Sequence, residues 1–412
     1  MPTRWRTTPR AHLPIRTISA GLARPALLGL LIVTFLASGE AGGTEDAAAI
    51  PQFVTTDGID FKLDGKPYFI TGANNHYLTY GTDAEVIRVL DDAAALGMNV
   101  IRTFLQPVIG SLDGSAPTIW QWQTRVATSD LNTNGNYLLF WDRKTGRMAI
   151  NDGKDGIQRV DFLVAEAKKR NIKLIIALVD FWSFTGGIQQ MRAWYGSQDK
   201  STFFFEDPRT RQDYKNWVGH VVWRLNPRTG LRYRDDPTIM AWELANEANA
   251  EPEQLRLRWT AEMAAYLKSQ DPNHLVGSGN ANPDLASFDI SVPDIDFGTW
   301  HGYPKYLGIS PDQFAILIKR YCDAAPIHGK PVLLEEFGYA RSNPDQAAAY
   351  EKWLNALAQN RNCAGWLVWR LVSRQQNGKY PVDENPIAQF DVRNDGTPLW
   401  SVLKKAVAAG RQ

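Results

Sequence analysis

The sequence predicts a single (β/α)8 barrel, a TIM barrel, that follows a short N-terminal β-hairpin. Eight short apolar runs recur between residues 68 and 371, and amphipathic segments separate most of them. Apolar strands that alternate with helices are typical of a parallel sheet covered on both faces, and eight such units indicate a closed barrel. The rival interpretation is an open doubly wound sheet, but neither a GxGxxG turn after an early strand nor a GxxxxGK[ST] loop is present.

The first 41 residues resemble a secretory signal peptide. Five Arg precede the first acidic residue, Glu40, and an apolar run of about eleven residues extends from 26 to 36 before a stretch of small residues. An uncleaved signal anchor is the alternative, but eleven residues are too few to span a bilayer comfortably. We therefore predict a signal peptide at 1–41, a linker at 42–50 and one catalytic domain at 51–412, secreted to the extracellular space or the periplasm without a stable membrane anchor.

The elements of this domain follow from its local patterns. Residues 53–67 alternate around two Asp-Gly turns, which predicts the hairpin. The predicted barrel strands are 68–72, 99–105, 173–180, 239–247, 275–279, 296–301, 331–337 and 365–371. The clearest predicted helices are 84–96, 157–170, 252–269, 311–324 and 346–359.

Composition excludes several classes of function. A net charge of +1 gives no basic field that would attract nucleic acid. The six His include no HxxxH or HxH spacing, so we expect no metal and no cofactor. The chain has 15 Trp, 14 Tyr and 17 Phe, which suggests an aromatic core or a ligand that stacks on rings. We expect the protein to be monomeric.

Only two cysteines are present, Cys322 and Cys363. In an oxidising compartment they could pair, whereas two unlinked buried thiols are the alternative. We expect the disulfide, because each cysteine lies ahead of a predicted strand on the same side of the fold.

Unusual polar residues end several of the predicted strands. In a (β/α)8 barrel the carboxyl ends of the strands carry the active site. Arg102 ends the second run, Glu247 the fourth and Glu336 the seventh, while the sixth leads into His301 and Tyr303. Two carboxylates on different strand ends suggest the pair of groups used in glycoside hydrolysis.

That chemistry requires the two carboxyl groups to differ in pKa. The acid must carry a proton near neutral pH, so we expect burial and the neighbouring charge of Glu336 to raise the pKa of Glu247. We expect Arg102 to keep Glu336 ionised. Glu243 and Glu335 are interpreted as bridges to neighbouring helices, because a lone strand-end Glu commonly has that role.

Two further expectations rest on strand alternation. Neighbouring side chains of a strand face opposite sides, so only one of Glu335 and Glu336 should reach the cleft. Likewise, Trp366 and Trp369 are three residues apart and should point to opposite faces, so that one packs against the outer helices.

The chain resembles the glycoside hydrolase family 5 enzymes, retaining hydrolases of a (β/α)8 clan, and is most similar to their β-1,4-mannanase members. The resemblance covers most of residues 53–405. It rests on the motifs LDGKPYF (63–69), NVIRTF (99–104), LVDFWSFTGG (178–187), DDPTIMAWELANE (235–247), WHGY (300–303) and KPVLLEEFG (330–338). Departures are Asp180-Phe181-Trp182 where mannanases commonly have Asn-Asn-Trp, Ala248-Asn249 where Arg-Pro often follows, and a long connection over 106–155.

The resemblance implies roles for eight residues. Glu247 would be the acid/base and Glu336, not Glu335, the nucleophile. Those implied to bind the substrate are Arg102, Asn246, His301, Tyr303 and Trp369 around the −1 sugar, with Trp182 as a further ring in the cleft.

The function that follows is double displacement through a glycosyl-enzyme, on β-1,4-mannosidic bonds of mannan or glucomannan. Alternatives are an endo-β-1,4-glucanase, since the same machinery serves glucose polymers, and an exo-β-mannosidase, since long cleft loops can close subsites. A non-catalytic carbohydrate-binding barrel would be expected to lack one of the carboxylates, and both are present.

Overall fold

Eight parallel strands form the central sheet of the computed structural model, which describes residues 52–120, 133–197, 202–248, 252–285, 288–381 and 389–410. The predicted signal peptide and linker lie outside these residues. The strands are β1 Thr55–Asp57, β2 Asp60–Leu63, β3 Lys66–Pro67, β4 Ile70–Asn74, β5 Val100–Phe104, β6 Val108–Ser111, β7 Leu139–Asp142, β8 Arg147–Ile150, β9 Lys173–Ala177, β10 Ile239–Glu243, β11 Leu275–Gly277, β12 Gly298–Gly302, β13 Val332–Phe337 and β14 Gly365–Val368.

The barrel strands are adjacent in the order β11-β10-β9-β5-β4-β14-β13-β12. Two backbone hydrogen bonds connect the segments around the outermost strands, β11 and β12. The N–H of Asp296 donates to the carbonyl of Val276, and the N–H of His301 donates to the carbonyl of Ala281. The result is a nearly closed (β/α)8 barrel, as predicted. Each of the eight predicted strand runs overlaps one of these strands.

The helices are α1 Asp83–Leu96, α2 Gln158–Lys169, α3 Gly187–Ala193, α4 Phe203–Glu206, α5 Pro208–Trp223, α6 Glu253–Gln270, α7 Pro304–Leu307, α8 Pro311–Cys322, α9 Ala325–His328, α10 Gln346–Gln359 and α11 Pro398–Ala409. The five predicted helices are present. Helix α1 begins at a capping box of Thr82 and Glu85, which explains its sharp start. No helix of the described ranges is long and apolar enough to cross a membrane.

Helix α5 is not among the helices predicted from the sequence, although its start carries a recognisable signal. Asp207 caps the helix by accepting a hydrogen bond from the backbone N–H of Arg209, and Pro208 occupies the first turn. Asp at the N-cap and Pro in the first turn are both favoured at helix N-termini.

Two small sheets accompany the barrel. The N-terminal segment forms three antiparallel strands, β1-β2-β3, and not the two strands of a simple hairpin. Its Phe61 ring lies edge-on to Phe297, with centroids 5.4 Å apart, and both belong to the apolar cluster inside the barrel. The long connection after β5 contains a second sheet, β6-β7-β8, which the sequence analysis did not predict.

A disulfide joins Cys322, the last residue of α8, to Cys363 just before β14, which confirms the expected pairing. The cysteines are 41 residues apart in sequence. A loop of that length corresponds to a stabilisation of roughly 4 kcal/mol in the chain-entropy model.

Candidate active site

A cavity of about 400 Å³ opens at the carboxyl ends of the barrel strands. This size lies within the range of small-ligand sites. Seven carbocyclic aromatic side chains contribute to its wall: Phe104, Trp182, Phe184, Tyr303, Tyr306, Trp369 and Phe390. Its polar lining is His76, Gln106, Asp180, Thr185, Asn246, Glu247 and Glu336.

Two carboxyl groups face each other in this cavity. An oxygen of Glu247, which follows β10, and an oxygen of Glu336 in β13 lie within 4.8 Å of each other. Glu247 has a positive φ of 48°, and its N–H donates to the carbonyl of Gly279 at 2.8 Å. A Cβ at Gly279 would lie 2.4 Å from the carbonyl oxygen of Ala245, so this close approach of backbones requires glycine.

Glu336 is held by one donor at each oxygen. Nη1 of Arg102 donates to Oε1 at 2.6 Å, and the hydroxyl of Tyr303 donates to Oε2 at 2.7 Å. Burial is the largest influence on its pKa, which is raised, with the charge of Glu247 acting in the same direction and the charges of His301 and Arg102 opposing it.

Arg102 lies beneath the cavity and is completely buried. Its other hydrogen bonds go to Glu243 at 2.8 Å, to Asn74 at 3.0 Å and to Asn246 at 3.0 Å. Burial works against its charge, but the surrounding carboxylates outweigh it and raise its pKa. Arg102 therefore binds several of the site's side chains and does not line the cavity.

Glu247 also has one donor at each oxygen. Nδ1 of His301 lies 2.7 Å from Oε1, and the indole N–H of Trp182 donates to Oε2 at 2.6 Å. Burial would raise the pKa of Glu247, but His301 and Trp182 outweigh it and lower the pKa. Burial likewise opposes the charge of His301, yet the neighbouring carboxylates, Glu336 foremost, raise its pKa to about 10.

These directions contradict the expected order of the two carboxyl groups. The sequence leads us to expect a raised pKa for Glu247 and an ionised Glu336 held by Arg102. In the structure the pKa of Glu247 is lowered and that of Glu336 is raised. His301 lowers the pKa of Glu247, and the sequence does not reveal its position there, whereas burial raises the pKa of Glu336. Nδ1 of His301 and Oε1 of Glu247 are 2.7 Å apart, so the two groups titrate as a coupled pair.

The expected bridges from Glu243 and Glu335 to outer helices are wrong. Both side chains are completely buried and lie 2.8 and 3.4 Å from Arg102. Glu335 also lies 3.2 Å from Nε2 of His301. The pairing of β13 with β12 and β14 shifts register near this point, so simple alternation does not apply. Glu336 lines the cavity and Glu335 does not.

The side chains of Trp366 and Trp369 lie in different environments, as expected. Trp366 is buried in the apolar layer around the barrel, whereas Trp369 lines the cavity. The Trp369 ring stacks on Phe104 and His76, with centroids 5.9 and 6.0 Å apart. These two contacts hold the Trp369 ring in the wall of the cavity.

Glu247, His301 and Glu336 are also the described residues whose arrangement is most like a metal site, with one ligand atom from each within 4.8 Å of the others. The nitrogen of that set lies within hydrogen-bond distance of Glu247, and both oxygens of Glu336 accept hydrogen bonds. Because these atoms are already paired by hydrogen bonds, we assign no metal to them.

Comparison with known proteins shows which family the chain belongs to. The profile described as "GH family 5 beta-mannosidase-like" matches residues 154–363. The mannan endo-1,4-beta-mannosidase F of Aspergillus fumigatus is 31% identical over 357 residues, which cover 81% of this chain and 73% of that protein. The chain belongs to glycoside hydrolase family 5.

Further relatives of this family 5 enzyme are also mannanases by name. A putative mannan endo-1,4-beta-mannosidase 9 of Oryza sativa is 31% identical, and the match covers 84% of this chain and 87% of that protein. The crystal structure of the endo-1,4-beta-mannanase from Rhizomucor miehei superposes with a TM-score of 0.72 at 27% identity, covering 87% of this chain and all of that one. The chain is thus a glycoside hydrolase, and the interpretation as a non-catalytic barrel is wrong.

The structure brings all eight sequence-predicted residues of this glycoside hydrolase together. Six of them line the cavity: Trp182, Asn246, Glu247, Tyr303, Glu336 and Trp369. The other two, Arg102 and His301, bind the carboxyl groups from below. Asn246 accepts from Arg102 and donates to Asp180 at 2.9 Å, so its amide is held on both sides.

Several cavity residues escaped the sequence analysis. His76 comes two residues after β4 and Asp180, noted only as a departure from the family pattern, comes three residues after β9, so a strand-end criterion could have found both. Tyr306 lies in the short helix α7 after β12 and Phe390 in the connection after β14, and no local pattern marks them. Asn249, one of the noted departures from the family pattern, lies outside the described residues.

Proposed function

We propose that this family 5 glycoside hydrolase cleaves internal β-1,4-mannosidic bonds of mannan and glucomannan with retention of configuration. The main support for retention is that a carboxyl oxygen of Glu247 and one of Glu336 lie within 4.8 Å of each other. Retaining glycosidases have carboxyl groups about 5–5.5 Å apart, whereas inverting enzymes need about 6.5–9.5 Å to accommodate a water molecule. The short separation favours direct attack by a carboxylate.

In the first step Glu336 attacks the anomeric carbon of the −1 mannose. The bond from that carbon to the glycosidic oxygen breaks, and Glu247 protonates the departing oxygen. Arg102 and Tyr303 hold the two oxygens of Glu336, which fixes the direction of attack before substrate arrives. The product of this step is a mannosyl ester of Glu336.

In the second step the ester is hydrolysed. Glu247, now without its proton, accepts a proton from a water molecule that attacks the same anomeric carbon. The carbon–oxygen bond to Glu336 breaks, and both carboxyl groups return to their starting states. Two inversions at one carbon give net retention.

The aromatic lining supports a polysaccharide substrate. We assign Trp369 as the floor of the −1 subsite and Trp182 as a wall of the cleft, because the apolar faces of sugar rings pack on flat side chains. Trp182 is 40% exposed, so its ring is accessible from solvent. The choice of mannan rests on the names of relatives about 31% identical to this chain.

We also propose that the enzyme is exported by its signal segment and acts as a monomer outside the cytoplasm. The Cys322–Cys363 disulfide supports an oxidising compartment. Size-exclusion chromatography with light scattering on the exported protein checks the monomer, and its N-terminal sequence checks cleavage near residue 41.

One experiment tests the reaction and the substrate together. Mannan, glucomannan, cellulose and mannohexaose are each incubated with the enzyme, and products are separated by chromatography while proton NMR follows the anomer first released. We expect mixed oligosaccharides from mannan with β-configured new ends. Mannose alone would indicate an exo-mannosidase, products from cellulose alone an endoglucanase, and α-configured ends an inverting mechanism.

A further inference from the structure

Two buried carboxyl groups beneath the cavity have no part in the steps above. Glu243 and Glu335 are completely buried, and neither lines the cavity. One oxygen of each, Oε1, has no hydrogen-bond partner among the described residues. A buried carboxylate oxygen without a donor is costly, so the arrangement needs an explanation.

The pKa values of the two carboxyl groups are shifted in opposite directions. Burial and the charge of Glu335 raise the pKa of Glu243 well above its usual range. Burial opposes ionisation of Glu335 too, but Arg102, Glu243 and His301 outweigh it and lower its pKa to about 2. Glu335, whose Oε2 lies 3.4 Å from the guanidinium of Arg102, is therefore the ionised member of the pair.

The ionised Glu335 faces one nitrogen of the His301 ring. Its Oε2 lies 3.2 Å from Nε2, while the other ring nitrogen, Nδ1, lies 2.7 Å from Oε1 of Glu247. A carboxylate can only accept a hydrogen bond, so Nε2 must carry a proton whether the ring is neutral or charged. The nitrogen that can lose its proton is then Nδ1, the one that faces Glu247.

We propose that Glu335 is a positioning residue that fixes a proton on Nε2 of His301, so that Nδ1 exchanges one proton with Glu247 during turnover. The inference rests on the proposed glycosidase function. When Nδ1 gives its proton to Glu247, the ring becomes neutral and the carboxyl group gains the proton that the leaving oxygen takes. When Glu247 removes a proton from water, the His301–Glu247 pair regains the number of protons with which it started.

The other charged groups around His301 are consistent with this role. From β13, Oε2 of Glu336 lies 3.5 Å from Nδ1 and favours the charged ring. From β5, Arg102 opposes that charge but contacts Glu335 and Glu336, not the ring. Tyr303, after β12, donates its hydroxyl proton to Glu336. Among these groups, Glu335 is the one within hydrogen-bond distance of Nε2.

The first test compares kcat/KM against pH for wild type and Glu335→Gln. The variant keeps the shape but removes the anion, so the proton affinity of the His301–Glu247 pair falls. We expect the basic limb on mannohexaose to move to lower pH by about one unit or more. With 2,4-dinitrophenyl β-mannoside, whose leaving group needs no acid, kcat/KM should stay within about threefold of wild type.

The matched control is Glu243→Gln. Its amide can donate to Glu335 as a protonated Glu243 does, and its carbonyl can accept from Arg102. We expect its basic limb to stay within about 0.3 pH units of wild type. An unmoved limb in Glu335→Gln, an equal loss on both substrates, or an equal shift in Glu243→Gln would each overturn the proposal.

A second measurement needs neither a variant of Glu335 nor turnover. Nitrogen-15 NMR of wild-type His301, assigned by the signals missing in His301→Gln, reports both ring nitrogens as pH rises. We expect Nε2 to remain protonated while Nδ1 loses its proton. Loss from Nε2 first would contradict the inference, whereas failure of the mannanase assay alone would leave this titration unaffected and count only against the proposed function.

Discussion

Replacing Arg102 by Met should destabilise the enzyme in a way that depends on pH. The side chain is completely buried and lies within 2.6–3.4 Å of three carboxyl groups, Glu243, Glu335 and Glu336. Removing one partner of a buried ion pair costs about 3–5 kcal/mol, because the remaining charges lose their compensation. With an unfolding entropy of about 2.1 cal/mol/K per residue over roughly 360 residues, that cost lowers Tm by about 4–7 °C.

The sign of the pH dependence follows from the same carboxylates. Without Arg102 the folded-state pKa of Glu336 rises further above the value of about 4.3 that the unfolded chain would have. A carboxyl group with a raised folded pKa contributes stability at low pH and loses it as pH rises through that pKa. The deficit of Arg102→Met should therefore be larger at pH 8 than at pH 5.

Urea unfolding at both pH values, with calorimetry for Tm, measures this deficit. The matched control is Arg143→Met, which removes an exposed ion pair to Asp113 at 3.6 Å and should change stability by under about 1 kcal/mol at either pH. If Arg102→Met is as stable as wild type, or if its deficit is the same at pH 5 and pH 8, the carboxylate cluster does not depend on this arginine as argued.

The remaining predictions concern the charge and the rings of the site. Glu336→Gln should lower the pKa of His301 from its value of about 10, because Glu336 is the largest of the influences that raise it; proton NMR of the imidazole ring measures this, and an unchanged titration would contradict it. Trp369→Ala should lower kcat/KM on mannohexaose at least about tenfold with the fold intact, since stacking adds about 0.5–1.5 kcal/mol beyond the buried area. Trp366→Ala should instead lower the free energy of unfolding by about 3–5 kcal/mol, and the reverse pattern would exchange the roles of the two rings.

Much of the fold could be predicted because its signals are local. The apolar runs around Ile70, Val100 and Leu333 are buried on both faces, so their composition alone marks them as barrel strands. The β6-β7-β8 sheet was missed because its strands are short and partly exposed, so no continuous apolar run marks them.

The placement of the candidate site residues at one end of the barrel could be predicted, but their pKa directions could not. Strand ends place Glu247 and Glu336 at one end of the barrel, whatever the details of packing. The direction of each pKa depends on which ring nitrogen faces which oxygen, and sequence does not encode that directly. Glu335 was misread because a strand-end Glu was assumed to pair with an outer helix, whereas its partners, Arg102 and His301, lie on β5 and β12.

The central claim is that Glu336 forms a covalent bond to the substrate, and trapping tests it most directly. The enzyme is incubated with 2-deoxy-2-fluoro-β-mannosyl fluoride, whose fluorine slows hydrolysis of the intermediate, and is then digested and analysed by mass spectrometry. We expect one fluoromannosyl group on Glu336, formed in wild type and absent in Glu336→Gln. A label on Glu335 or Glu247, or no label while the reagent is turned over, would contradict the claim.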